Sequence, residues 1–153
     1  MLSVVSGPSS YWDGISDQIA DHYYHDAVIG RIKREAHLRL VARWCGDLRG
    51  KVVLKTLANT GIPAAPTVDG TFPVYLKYVF SHMKGTNPDG SKYDDPVWYA
   101  SYFNGGDAVH QFNRYSYGSY QSLGCVELPW AAAKKAYGYL SYGSLVTVTG
   151  PVA

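Results

Sequence analysis

His37-Leu38-Arg39-Leu40-Val41-Ala42-Arg43-Trp44 alternates apolar and polar residues with a period of two. Leu38, Leu40, Ala42 and Trp44 fall on one face, and His37, Arg39 and Arg43 on the other, as a half-buried strand requires. Gly46-Asp47-Leu48-Arg49-Gly50 then turns the chain, and Lys51 to Leu57, rich in Val and Leu, returns beside it. This β-hairpin sets the class of the fold. Downstream, Thr60-Gly61 with Pro63 and Pro66 predicts an irregular crossing. Thr71 to Tyr78 alternates again, with Phe72, Val74, Leu76 and Tyr78 on one side. His82 to Pro96 is polar and turn-rich, and Asn87-Pro88-Asp89-Gly90 is a strong turn sequence. Val97 to Phe103 reads as an aromatic strand closed by the turn Asn104-Gly105-Gly106.

Two helices interrupt this pattern. Pro129 is pre-set for a first helical turn, and Trp130 to about Tyr139 suits the helix that follows. At the other end, Gly7-Pro8-Ser9-Ser10 is a lead-in. From Tyr11 to about Ile32, Trp12, Ile15, Ile19 and Tyr23 recur at helical spacing, with Asp17 and Asp21 between them. Leu145 to Thr149 is a closing strand. The expected class is mainly β, with one internal helix and a short N-terminal helix.

Composition narrows the function. The 153 residues fit one domain, large enough to bury a core without staples. Hydrophobic content of 46% against 17% charged residues excludes a disordered chain. Fourteen tyrosines, sixteen glycines and eight prolines favour strands and turns. A net charge of +2 gives no argument for nucleic acid. No apolar run reaches the length of a membrane span, and Met1-Leu2-Ser3-Val4-Val5 shows neither the basic start nor the apolar core of a signal peptide.

The chemistry centres on Ser122-Leu123-Gly124-Cys125-Val126 and on His110 upstream of it. A thiol attacks well only as thiolate, and a neighbouring imidazole supplies this by taking the proton or by forming an ion pair. Gly124, without a Cβ, lets backbone approach a substrate closely, and such a turn aims N–H groups at a developing oxyanion. Cys45 and Cys125 are the two cysteines, and a bond between them would consume the nucleophile. Cys45 reads as a small apolar residue at a strand end.

Around this pair, Gly105-Gly106-Asp107-Ala108-Val109-His110 leads through Tyr117-Gly118 to Ser122-Leu123-Gly124-Cys125-Val126-Glu127-Leu128. Tyr142-Gly143-Ser144-Leu145-Val146-Thr147-Val148 follows the Ala-rich helix, while Asn59-Thr60-Gly61, Ala65-Pro66-Thr67 and Gly70-Thr71-Phe72 precede it. From roughly Arg31 to Gly150 the chain resembles the catalytic core of the bacterial L,D-transpeptidases, cysteine enzymes that cross-link peptidoglycan. The resemblance implies a β-sandwich of hairpins at 31–153, with 1–30 as an N-terminal extension. It matches His110 to the general base and Cys125 to the nucleophile. It departs at Leu123, where the family usually has a second His, and at Glu127, where an Asn or Arg is usual. One extra residue lies between Pro66-Thr67 and Gly70.

The same resemblance implies peptidoglycan stem peptides as partner, no cofactor, work at the cell envelope in wall and cell-shape maintenance, and sensitivity to carbapenems. A tetrapeptide stem would acylate Cys125 and pass to an acceptor amine; with water as acceptor the enzyme would be a carboxypeptidase, and without activity the domain would be a wall-binding module. Backbone N–H groups of Leu123, Gly124 and Cys125 would hold the oxyanion. Tyr78 to Tyr99 resembles the family's lid, with Tyr78, Met83, Trp98 and Tyr99 as walls for the stem or, alternatively, as sheet packing. Arg114 is either a partner for a stem carboxylate or an exposed loop charge. Glu127 either acts on the thiol and on a substrate amine, or points away from them. Other groups argue for less. His22 and His25 lack further metal ligands, His37 and His82 read as solvent-facing, and Asp94-Asp95 as a solvated pair.

Overall fold

Alternation at 37–44 produces the hairpin it predicts. In the computed structural model, which describes residues 28–33, 37–44 and 47–150, β2 (His37–Trp44) pairs antiparallel with β3 (Asp47–Leu57). The returning strand begins earlier than expected. Asp47 to Gly50 already belong to β3, and Trp44 lies opposite Asp47. Two register shifts, at Leu40/Val41 and Ala42/Trp44, bend the ribbon.

Further strands complete this sheet. β1 (Val28–Lys33) pairs antiparallel with β2 and parallel with β11 (Leu145–Thr149), and β11 pairs in turn with β5 (Gly70–Pro73). The sheet order is β3-β2-β1-β11-β5. The helix expected to reach Ile32 does not extend over 28–33, which is strand. Val28, Ile29 and Ile32 are β-branched; all three pair with β2, and Ile29 and Ile32 pair with β11 as well. The rest of that expected helix lies outside the described residues.

The reading of Thr71 to Tyr78 as one strand is also corrected. Pro73 lacks the N–H that a continuing ladder needs. The chain leaves β5 there, buries Val74 between the layers, and enters β6 (Leu76–Thr86) of the second sheet. β6 forms a long hairpin with β7 (Lys92–Asn104) across the predicted turn, where Gly90 N–H donates to Asn87 O at 2.9 Å. The polar stretch 82–96 is thus mostly strand. β8 (Asp107–Gln111) and β10 (Val126–Leu128) complete the order β10-β8-β7-β6, β10 running parallel to β8. A small pair, β4 (Thr60–Gly61) with β9 (Tyr120–Ser122), closes one end.

The two sheets and α1 (Trp130–Tyr139) share one core. Leu38 and Val146 come from the first sheet, Phe103, Val109 and Leu128 from the second, and Ala133, Ala136 and Leu140 from the helix and its end. Each fully buried Val or Leu side chain contributes on the order of 1.5–3 kcal/mol relative to exposure. Alanine is the strongest helix former, and its small side chain lets α1 lie close to the sheets. α1 stops where Lys77 of β6 reaches its open carbonyls. The ammonium donates to Tyr137 O at 2.8 Å and to Leu140 O, and sits 3.9 Å from the centre of the Tyr137 ring. A cation there also opposes the negative end of the helix dipole. Lys77→Met keeps the apolar stem and removes both bonds. Urea unfolding is expected to show a loss of about 1.5–3 kcal/mol, the range for hydrogen bonds to a charged group; an unchanged midpoint would contradict this.

Candidate active site

Parallel pairing of β8 with β10 sets the site. Val126 lies opposite Val109 and Glu127 opposite His110, so Cys125, one residue before β10, enters beside the same stretch of β8. Both Cys125 and His110 line one cavity of about 1090 Å³. Cys125 is a free, half-buried thiol whose Sγ lies 3.8 Å from Gly106 O and 3.9 Å from Met83 Sδ. Cys45 falls outside the described residues.

Gly124 makes the approach to the thiol. Its φ of +114° is rarely adopted by residues with a side chain, and a Cβ there would collide with Asp107 Oδ1. Ser122 Oγ ties the turn together by donating to Cys125 O, while Gly124 N–H donates to Ser122 Oγ at 3.3 Å. Of the three expected oxyanion donors, Gly124 N–H therefore already has an acceptor within the turn. Among the described residues, Leu123 and Cys125 N–H donate to no other backbone carbonyl outside the strands.

The imidazole is held in one tautomer. His110 Nδ1 lies 2.8 Å from Gln111 O, and a carbonyl only accepts, so Nδ1 carries the proton and Nε2 keeps a lone pair. His110 is buried, and that burial holds its pKa below the ordinary histidine range. Burial pushes the Cys125 thiol up to about 12; the Asp107 and Glu127 carboxylates add to this, against a backbone hydrogen bond from Ala108. Near neutral pH the pair is therefore thiol and imidazole, not thiolate and imidazolium.

Arg114 is not a free loop charge. Its Nε donates to Glu127 Oε2 at 2.8 Å and one Nη2 hydrogen to Glu127 Oε1 at 2.7 Å. Glu127 is buried and lines the cavity beside His110, so its side chain does not point away. Asn59, itself buried, fixes the loop that carries Arg114: Nδ2 donates to Ser116 O, and Oδ1 accepts from Gly118 and Ser119 N–H.

The lid hairpin contributes Met83 to the cavity, but Tyr78, Trp98 and Tyr99 are absent from its lining. Val97 faces the cavity, so Trp98 faces the opposite side of β7. There Trp98 packs against Phe80 and Trp130, with ring centres 4.7 and 5.6 Å apart. Tyr78 shares the face of Phe80, two residues on. Tyr99 has a φ of +58° within a register shift of β7, and its ring packs on Trp130 and Tyr137 of α1. Trp98 and Tyr99 thus brace the sheet against the helix, while Tyr78 is exposed and meets the Tyr102 ring edge-on at 6.2 Å. The lid instead presents Tyr93 and Asp95, neither of which the sequence singled out as a wall. Asp94, paired with His82 at 2.7 Å and Lys84 at 2.9 Å, lies on the exposed side.

This arrangement coincides with a family at the level of sequence. The YkuD L,D-transpeptidase catalytic domain matches residues 41–148. The chain belongs to the L,D-transpeptidase catalytic-domain family. Solved structures agree with this assignment. An L,D-transpeptidase from Mycobacterium smegmatis is 25% identical with a TM-score of 0.71, over 81% of this chain and 59% of that one. The catalytic domain of the Enterococcus faecium L,D-transpeptidase is 29% identical with a TM-score of 0.66, over 80% of this chain and 96% of that one. L,D-transpeptidase 3 from Mycobacterium tuberculosis, in complex with a faropenem-derived adduct, shares the fold at 22% identity, over 81% of this chain and 60% of that one, with a TM-score of 0.68. This transpeptidase-family chain thus spans about 59% of the length of the mycobacterial protein and nearly all of the enterococcal catalytic domain. No curated protein sequence matches it. Among the described residues of this family member, no helix is long and apolar enough to cross a membrane, and no cluster of His, Cys, Asp and Glu is arranged to hold a metal ion.

Proposed function

We propose that the chain is an L,D-transpeptidase that cross-links peptidoglycan stem peptides through a thioester on Cys125. The observation that carries this reading is a free thiol and an imidazole lone pair lining one cavity from neighbouring parallel strands. The family match supports the reaction class, and it is the basis for placing the enzyme at the cell envelope.

The donor is a tetrapeptide stem. Cys125 sulfur attacks the amide carbonyl between its third residue and its terminal D-alanine, and His110 Nε2 takes the thiol proton as the C–S bond forms. Backbone N–H groups of Leu123 and Cys125 hold the resulting oxyanion. On collapse the C–N bond breaks and His110 returns the proton to the departing amine. An acceptor amine on a second stem then attacks the thioester; His110 takes its proton and passes it to the sulfur as the C–S bond breaks. General-base transfer of this kind contributes ~10²–10⁴-fold. The thioester conserves the energy of the cleaved amide, so the sequence closes without a nucleotide. The lid hairpin lengthens the life of the thioester by excluding water.

Purified donor tetrapeptide, with and without acceptor amine, tests the reading. Intact-mass spectrometry is expected to show an acyl group on Cys125, and cross-linked product is expected only when acceptor is present. Release of the shortened donor irrespective of acceptor would instead identify a carboxypeptidase. No acyl-enzyme under either condition would leave a wall-binding domain as the reading.

A further inference from the structure

Arg114 and Glu127 form a unit that the thiol–imidazole chemistry does not use. A guanidinium has five N–H donors in a fixed plane. Nε and one Nη2 hydrogen serve the two oxygens of Glu127, and the other Nη2 hydrogen serves Gln121 O at 3.1 Å. That leaves both hydrogens of Nη1 without an acceptor among the described residues. The Arg114 side chain is 31% exposed and that of Glu127 only 5%. The carboxylate is thus the buried anchor, while the guanidinium extends from it into the cavity wall. The guanidinium carbon also lies over the Phe112 ring, 4.7 Å from its centre, a second contact that restrains the group.

The anchor sits opposite His110 in the β8–β10 register, and Arg114, Glu127, His110 and Cys125 all line the same cavity. Glu127 cancels the charge of Arg114 only on the fork side. The Nη1 edge is the face of a cation with unused donors, a geometry suited to a carboxylate. Lys84, the other permanently cationic residue of the lining, is tied to Asp94 at 2.9 Å on the lid. Asp95, Asp107 and Asp89 also line the cavity and oppose an anion there, so a bound carboxylate needs this particular contact and not a diffuse positive field.

We propose that Arg114, set in position by Glu127, recognises a free carboxylate on the donor and restricts the enzyme to donors that end in one. Resting on the transpeptidase reading, this names the residue that selects a carboxy-terminal D-amino acid as leaving group. Arg114 touches the substrate. Glu127 is a positioning residue that acts through it.

Two donor tetrapeptides, identical except for a terminal carboxylate or carboxamide, test this by intact-mass rates of Cys125 acylation. The native enzyme is expected to favour the acid by about ten- to a hundredfold, the range for hydrogen bonds to charged groups, with the difference in KM. In Arg114→Gln the ratio falls to about one, and Arg114→Lys restores part of it. Glu127→Gln lowers the ratio, because the fork loses one of its two charged acceptor oxygens. Arg114→Gln strands a buried carboxylate and so risks the fold; the double variant Arg114→Gln/Glu127→Gln removes that charge and is expected to give the same ratio near one. Alkylation of Cys125 by iodoacetamide, which has no carboxylate, checks that the thiol is present and accessible in each protein. Equal rates for acid and amide in the native enzyme, or a preference that survives in the double variant, overturns the assignment. Silence of both donors at an alkylatable thiol overturns the transpeptidase reading, and this proposal with it.

Discussion

His110→Ala is expected to slow acylation of Cys125 by at least ~10²-fold at neutral pH, the lower end of general-base effects. The size follows from the resting state. With the thiol pushed up to about 12, the thiolate fraction at neutral pH is negligible, so attack depends on Nε2 removing the proton. Without that base only the pre-ionised fraction reacts. The rate of the variant should therefore climb about tenfold per pH unit from neutral into the alkaline range, following the thiolate. The native enzyme should behave differently. Burial keeps the His110 pKa below its ordinary range, so the imidazole is neutral and competent at pH 7, and its rate falls only in acid as Nε2 becomes protonated. A native rate that halves near pH 6.5 or above, or a variant rate indifferent to pH, would remove this division of labour. Folding should be checked alongside by thermal melting.

Gly124→Ala is expected to have a comparable effect on the reaction and a cost in stability. The residue needs φ near +114°, and its new Cβ would meet Asp107 Oδ1. Backbone held in a sparsely populated region costs on the order of 1–3 kcal/mol, and relief by rotation would move both the Cys125 sulfur and the N–H groups around it. A misplacement of ~1 Å at reacting atoms is worth about 10²-fold. Gly105 supplies the comparison. It also has positive φ, at +52°, but nothing lies within 4 Å of a Cβ there. Gly105→Ala should lower stability by about 1–2 kcal/mol while acylation stays near the native rate. Equal losses of activity in the two variants would show that strain alone, not the shape of the turn beside Cys125, was responsible.

Local patterns carried much of this architecture. Strict alternation at His37–Trp44 gave β2 with the same bounds, Asn87-Pro88-Asp89-Gly90 gave the lid turn, and Pro129 with its alanines gave α1. Where a reading failed, a tertiary event had overridden a local period. Pro73 and Tyr75 sit in an alternating stretch, yet the chain changes sheet between them, where Pro73 has no N–H for a continuing ladder. Trp98 and Tyr99 looked like walls of the cleft from their position in the lid segment. Trp98 faces α1 because its neighbour Val97 faces the cavity, and a register shift with a positive φ turns Tyr99 there too, a feature with no signature in the residue types.

That Cys125 and His110 meet in one cavity was legible because their residue types and neighbours are restrictive. The electrostatics of the pair were not. That the thiol rests protonated depends on burial and on Asp107 and Glu127 being close in space. The Arg114–Glu127 fork joins residues thirteen positions apart through a loop whose path depends on Asn59, and spacing alone left both partners with open alternatives. Leu123 stands where the family usually carries a second imidazole, and here it lines the cavity with an apolar side chain. His110 therefore carries the proton transfer in this account without a second histidine in that motif.

Incubation with a carbapenem followed by intact-mass spectrometry and peptide mapping tests the central claim most directly. One equivalent of drug is expected on the native chain, mapped to Cys125, with none on Cys125→Ala. A native protein that stays unmodified while the sulfur can still be alkylated, or an adduct that persists in Cys125→Ala, would contradict the account.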